Sequence, residues 1–137
     1  MVEDRGASMK RNVEPVPVVS VEYLGEVSIL NMRGNIAVGD GDVVLRTQVD
    51  GLLARGHRRL VVNLTDVTYM DSCGLAELVS CQRRALNRNA EIKLLSPSTR
   101  VRRLLAITML DQVFAVFADR YDALASFPPG RLECRCC

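Results

Sequence analysis

The stretch Leu60-Val61-Val62-Asn63-Leu64-Thr65-Asp66-Val67-Thr68-Tyr69-Met70-Asp71-Ser72-Cys73-Gly74-Leu75 constrains this chain more than any other. An apolar run breaks into a polar segment, and a cluster of small residues then opens an amphipathic one. The pattern predicts a strand ending near Leu64, a crossover from Asp66 to Met70, and a helix beginning at Asp71-Ser72. The first N–H groups of a helix lack internal partners, so Asp or Ser there supplies an acceptor oxygen. Ser72 is therefore expected as an exposed hydroxyl at the positive end of a helix dipole, a position that tolerates an anion such as phosphate. It reads as a plain cap or as a modifiable hydroxyl. Asp71 has the same pair of readings, as a cap or as a recognition residue. Gly74 either lets a neighbouring segment approach the helix start or meets a turn requirement.

Val18 to Tyr23 and Val27 to Met32 are β-rich runs around Gly25 and read as a hairpin, with Gly34 closing the second strand. Gly39-Asp40-Gly41-Asp42 reads as a turn whose last aspartate caps a helix. Leu45, Val49, Leu52 and Leu53 then recur at helical spacing until Gly56 ends that helix. Arg59 to Leu64 is apolar enough for a central strand. In the helix after the small-residue cluster, Leu75, Leu78, Val79 and Leu86 are expected inward, and Ser80, Arg83, Arg84 and Asn87 outward. Glu91 to Leu95 reads as the fourth strand. Ser96-Pro97-Ser98 starts a helix with Val101, Leu104 and Leu105 inward. Val113 to Phe117 and Asp119 to Phe127 read as a fifth strand and a last helix, and Pro128-Pro129-Gly130 ends the domain. Strand and helix alternate from the third strand on, which implies parallel neighbours; the hairpin makes the sheet mixed. The expected organisation is a flexible arm at residues 1–17, one domain at 18–127 and a Cys-rich tail at 128–137.

The totals exclude several classes. The chain has 137 residues, enough for one domain, with 48% hydrophobic and 25% charged residues, as in a soluble globular protein. A net charge of +2 is too small to argue for nucleic acid or an anionic membrane. Arg83, Arg84 and Arg88 with Arg100, Arg102 and Arg103 make a basic pair of helices. Without interleaved aromatics they read as a solvated face rather than a nucleic-acid site. Leu104 to Leu110 is too short to span a bilayer, and Met1 to Pro17 has no apolar core for a secretory signal, so a cytoplasmic protein with reduced thiols is expected. The Cys134-x-Cys136 spacing is not that usual for zinc, and the tail does not match a prenylation signal. Cys73 at a helix start invites a nucleophile reading. The one histidine, His57, is expected exposed in the turn Arg55-Gly56-His57-Arg58-Arg59, so no oriented base is in evidence and no enzyme is expected.

Met70-Asp71-Ser72-Cys73-Gly74-Leu75 closely resembles the Met-Asp-Ser-(Ser/Thr)-Gly-Leu signature of the STAS domain, in the branch of anti-sigma factor antagonists. Cys73 is the one departure inside the motif; it keeps the size of serine but is a weak hydrogen-bond donor. Glu91 to Leu95 and Ile107 to Phe114 match further family segments, so the resemblance covers roughly Val18 to Phe127. It implies an α/β STAS fold, a small mixed sheet of about five strands with about four helices packed mainly on one face. It also implies phosphorylation at Ser72 and partner binding through Asp71, Ser72, Cys73 and Gly74. The implied partners are an anti-sigma factor that is also a serine kinase, holding the ATP itself, and a metal-dependent serine/threonine phosphatase. The chain would need no cofactor or metal and would bind neither nucleic acid nor membrane, as a monomer or weak dimer. Antagonists commonly read Gly-Glu-Leu-Asp where this chain has Gly34-Asn35-Ile36-Ala37. Both carboxylates are missing, with Asp40 and Asp42 following as substitutes, and no kinase contact transfers to Ala37. Two alternatives stand beside this reading. One is a STAS subunit of a lipid-transport ATPase without a phosphorylation cycle, against which the Asp71-Ser72 pair weighs; the other is a small thiol enzyme using Cys73.

Overall fold

The expected N-terminal hairpin forms: β1 (Val18–Leu24) pairs antiparallel with β2 (Val27–Ile36), and Leu24 faces Val27 across the turn. In this computed structural model, which describes residues 18–37, 39 and 41–127, there follow α1 (Gly41–Ala54), β3 (Arg59–Met70) and α2 (Ser72–Asn87). Then come β4 (Glu91–Leu95), α3 (Thr99–Ile107), a 3-10 turn at Leu110–Gln112, β5 (Val116–Phe117) and α4 (Arg120–Ala125). The strand order is β1-β2-β3-β4-β5, parallel from β2 onward. The expected arm and tail, and Asp40, lie outside the described residues.

Leu30, Met32, Leu60, Val62, Leu64, Ile92 and Leu94 line the sheet face covered by α1, α2 and α3. Those helices contribute Leu45, Val49 and Leu52, then Leu75 and Leu78, then Val101 and Leu105. The opposite face buries Val27, Ile29, Val61 and Leu95 under Ala123 and Phe127, so α4 stands alone there. A polar chain crosses that second face. Arg120 donates to Glu22 at 3.0 and 3.2 Å, Asn31 donates to Glu22 at 3.2 Å, and Asn63 donates to Asn31 at 2.7 Å. The Arg120 guanidinium, then Asn31, hold the Glu22 carboxyl below its ordinary range.

The middle of the chain departs most from expectation. β2 does not close at Gly34 but runs to Ile36, and β3 does not end at Leu64 but continues to Met70, so Asp66 to Met70 is strand and not crossover. The cause is a pair of bulges. Pairing steps from Asn31↔Asn63 to Arg33↔Asp66, and again from Gly34↔Val67 to Asn35↔Tyr69, each time with one extra residue in β3. Thr65 folds back on Asn63, its Oγ1 2.6 Å from Oδ1, and Thr68 Oγ1 donates to Asn35 Oδ1 at 2.9 Å. The polar residues that read as a turn are thus bulge residues. Burial in this half falls on Val67 and Met70, and the alternation expected of a strand is lost.

Other boundaries shift for similar local reasons. α1 begins at Gly41, and Asp42 lies inside its first turn, its carboxylate taking the Val43 N–H at 2.8 Å. β5 is two residues long because Val113 and Phe114 both donate backbone N–H to Leu110 O at 3.0 Å, extending the 3-10 turn and burying Phe114. Leu86 is 58% exposed, since the buried stripe of α2 runs through Leu75, Leu78, Cys81, Gln82 and Ala85. Arg84, expected on a solvated face, instead joins α2 to α1. Its Nε lies 2.8 Å from Asp50 and its Nη2 3.0 Å from Glu77.

Gln82 explains itself through the short fifth strand. β5 pairs only with Leu94 and Leu95, so Ile92 has no strand beside it on that edge. The Gln82 amide takes the strand's place: Nε2 donates to Ile92 O at 3.2 Å and Oε1 accepts from Ile92 N at 3.0 Å. Gln82→Leu keeps the volume and orphans both buried groups. We expect a loss of about 2–4 kcal/mol, read as a lower urea midpoint at unchanged m-value.

Candidate functional site

The bulged strands carry β2 and β3 to a common end, with Ile36 beside Met70, and α2 starts directly above it. Asp71 N–H points at Ile36 O, 3.4 Å away, while Asp71 Oδ1 accepts the Gly74 N–H at 2.9 Å. Asp71, extended at φ −101 and ψ −176, is therefore the N-cap of α2. Ser72 is not the cap. It is the first residue of the helix, and both it and Cys73 are exposed.

Gly74 is buried for a reason the sequence left open. A Cβ there would run into the carbonyl oxygen of Ile36 and come within 2.9 Å of its carbon. Gly41, at the start of α1, meets the same segment: a Cβ would collide with Asn35 O and lie 2.7 Å from Ile36 Cα. Two helix starts thus clasp one strand end, and close approach rather than a turn accounts for Gly74. Where the resemblance predicts acidic residues, Asn35 is held by Thr68, and the Ala37 carbonyl accepts Asp42 N–H at 3.1 Å.

The surface beside Ser72 is concave. A groove of about 600 Å³ lies between the start of α2 and α3, lined by apolar side chains that include Tyr69, Leu75, Leu104 and Ile107, and by Arg100 and Arg103. Asp71, Ser72 and Gly74 are thus brought together at one end of the sheet, with Cys73 exposed beside them. The α3 groove wall went unnoticed in the sequence; Ile107, which stands on it, is exposed.

The thiol constellation does not assemble. Between the turn bearing His57 and α2 lies β3, which with its two bulges spans the ten residues of β2, so at about 3.3 Å per residue His57 is roughly 30 Å from Cys73. His57 is not free in its turn either: it is half-buried, stacked on Tyr23 at 5.4 Å, with Nδ1 3.1 Å from the Ser28 hydroxyl. Burial first, and then Glu77, push the Cys81 thiol up to about 12 against the pull of Arg84, which makes it inert. Among the described residues there is no cluster of three His, Cys, Asp or Glu able to hold a metal. Nor is any helix there long and apolar enough to cross a membrane.

With this geometry the chain belongs to the STAS domain family, whose pattern matches residues 19–123. A STAS-domain containing protein of Pseudomonas aeruginosa is 41% identical over 59 residues, 43% of this chain and 58% of that protein's length. The chain is 26% identical over 99 residues to a Thermotoga neapolitana protein described as a candidate anti-sigma factor antagonist, covering 72% of this chain and 88% of that one. Among solved structures, the phosphorylated form of the Bacillus cell fate determinant SpoIIAA superposes with a TM-score of 0.62 at 17% identity. That match covers 79% of this chain and 97% of SpoIIAA, a likeness of fold.

Separating cap from hydroxyl ranks three substitutions. Asp71→Ala should cost about 1 kcal/mol through the lost cap. Ser72→Ala, at an exposed position, should stay within about 0.5 kcal/mol. Gly74→Ala should cost about 1–3 kcal/mol, because backbone at Ile36 must yield. Urea titrations of the three proteins check the ranking.

Proposed function

We propose that this protein is an anti-sigma factor antagonist: a binding module, not a catalyst, switched by phosphorylation of Ser72. Unmodified, it binds an anti-sigma factor that is also a serine kinase, and so frees the sigma factor. The kinase uses its own ATP to phosphorylate Ser72 and ends the binding. A serine/threonine phosphatase reverses the step. Support comes from the Thermotoga relative, described as a candidate anti-sigma factor antagonist, and from the match of fold to SpoIIAA in its phosphorylated form. The observation that carries the switch is that Ser72 is exposed and spared from capping.

The physical case rests on where charge would fall. A phosphate adds about −1.5 to −2 charges and three acceptor oxygens. At the first turn of α2 the helix dipole accommodates it within the domain, so the fold is kept. In an interface that buries the neutral hydroxyl, the same charge must be desolvated, and an unpaired buried charge costs about 2–5 kcal/mol. At about 1.4 kcal/mol per tenfold, that weakens binding by some one to four decades. Asp71 and Cys73 complete the contact surface around the hydroxyl, and Gly74, expected to join it, is buried against Ile36 and serves to place the helix start. Cys73→Ser, which restores a residue common in the family, should keep partner binding.

With its cognate kinase and ATP, the protein should gain one phosphate, at Ser72, and Ser72→Ala should abolish it. Ser72→Asp should bind the anti-sigma partner at least about tenfold more weakly than wild type, at unchanged thermal stability. Mass spectrometry locates the phosphate and calorimetry gives the affinities. Modification at Thr68 or Ser80, or equal affinities for wild-type, Ser72→Asp and phosphorylated protein, would remove the switch.

A further inference from the structure

α3 shows two faces in its sequence. Val101 and Leu105 point into the core, while Arg100, Arg103, Leu104 and Ile107, at three- and four-residue spacing, form a stripe along the groove beside Ser72. Part of the groove is apolar and exposed together: Ile107 is 71% exposed, and Tyr69 on the facing wall 42%. Exposed apolar side chains that gather along a concave surface mark a binding site rather than chance. Its charge is net positive, two guanidiniums against one carboxylate. Arg100 and Arg103 are exposed, and no ion pair or hydrogen bond engages either guanidinium among the described residues. The one acidic side chain lining the groove, Asp71, is committed to the Gly74 N–H.

We propose that this groove docks an acidic amphipathic helix of the protein partner. Apolar side chains of that helix seat against Tyr69, Leu104 and Ile107, and carboxylates on its next turn engage Arg100 and Arg103. Charge complementarity selects this occupant. A basic helix would meet two guanidiniums against the single Asp71 carboxylate, and an apolar one would bury them unpaired. Resting on the Ser72 reading above, the same geometry gives phosphorylation a second route of action. A phosphate on Ser72 enters the groove's edge, where it repels the acidic helix and competes for Arg100 and Arg103.

The test uses full-length ¹⁵N-labelled protein and two synthetic helical peptides with one leucine stripe, the polar face glutamate in one and lysine in the other. The glutamate peptide should shift the backbone amides of residues 69–75 and 100–108, and its affinity should fall as salt rises. Arg100→Glu with Arg103→Glu should weaken it at least about tenfold and turn the preference to the lysine peptide. That reversal keeps the result readable even if the variant loses some stability. Equal binding of both peptides, or glutamate-peptide shifts elsewhere on the protein, would overturn the proposal. Concentration-dependent shifts of the same amides in protein alone would assign the groove to a second copy and overturn it too. Loss of binding in the arginine variant with none in Ser72→Glu would support the docking surface and count against Ser72 as its switch.

Discussion

The carbonyl of Ile36 sits against the first turn of α2 with no room for a side chain between them, and the end of the molecule that carries the candidate site depends on that approach. It sets how far β2 must run and how far β3 must bulge to end beside it. It also sets the residue that can stand at position 74. Gly41 repeats the arrangement from the other side, so the starts of α1 and α2 share one strand end as their anchor. Asp71 closes the junction with a side chain that takes the Gly74 N–H and a backbone N–H aimed at Ile36. Positioning of Ser72 follows from these backbone contacts and owes nothing to its own hydroxyl.

That division of labour makes the site suited to reversible modification. A serine that capped the helix would trade fold stability against charge each time it was modified. Here the neighbouring aspartate carries the structural duty, and the serine presents an oxygen to solvent at the positive end of a 16-residue helix. Cys73 and the groove wall on α3 extend the exposed surface, while Cys81, though in the same helix, is sealed in the core. The two described cysteines thus differ in environment, one exposed and one buried.

Much of this was legible in the residues. The hairpin around Gly25, the helix closed by Gly56, the fourth strand at Glu91 to Leu95 and the helix capped at Ser98 follow from local rules, and each is found within a few residues of its expected place. Family resemblance supplied the fold and the motif. What local rules missed came from tertiary pairing. Thr65, Asp66 and Thr68 look like a turn because their side chains are polar, yet they lie in strand because β2 runs alongside, Asp66 opposite Arg33 and the two threonines in the unpaired stretches at the bulges. Gln82 looks like a surface residue by type, yet it faces inward, while Leu86 falls off the edge of the covered stripe. Asp71 and Ser72 are both sound cap residues, and only backbone geometry separates their roles. The groove was illegible for a different reason: it is made by two helices whose relation no short window contains.

The Gln82 side chain has a bearing on assembly as well as on stability. A strand with an unpaired edge is a template for another chain, and β4 would offer one wherever the two-residue β5 fails to reach. The amide that closes this edge belongs to α2, so it arrives only when that helix docks. Until then β4 is open to strands from other molecules; afterwards it is sealed by a group that cannot propagate a sheet. One side chain of α2 thus does for the edge of β4 what a longer β5 would do, and it lies far along the helix from the serine at its start.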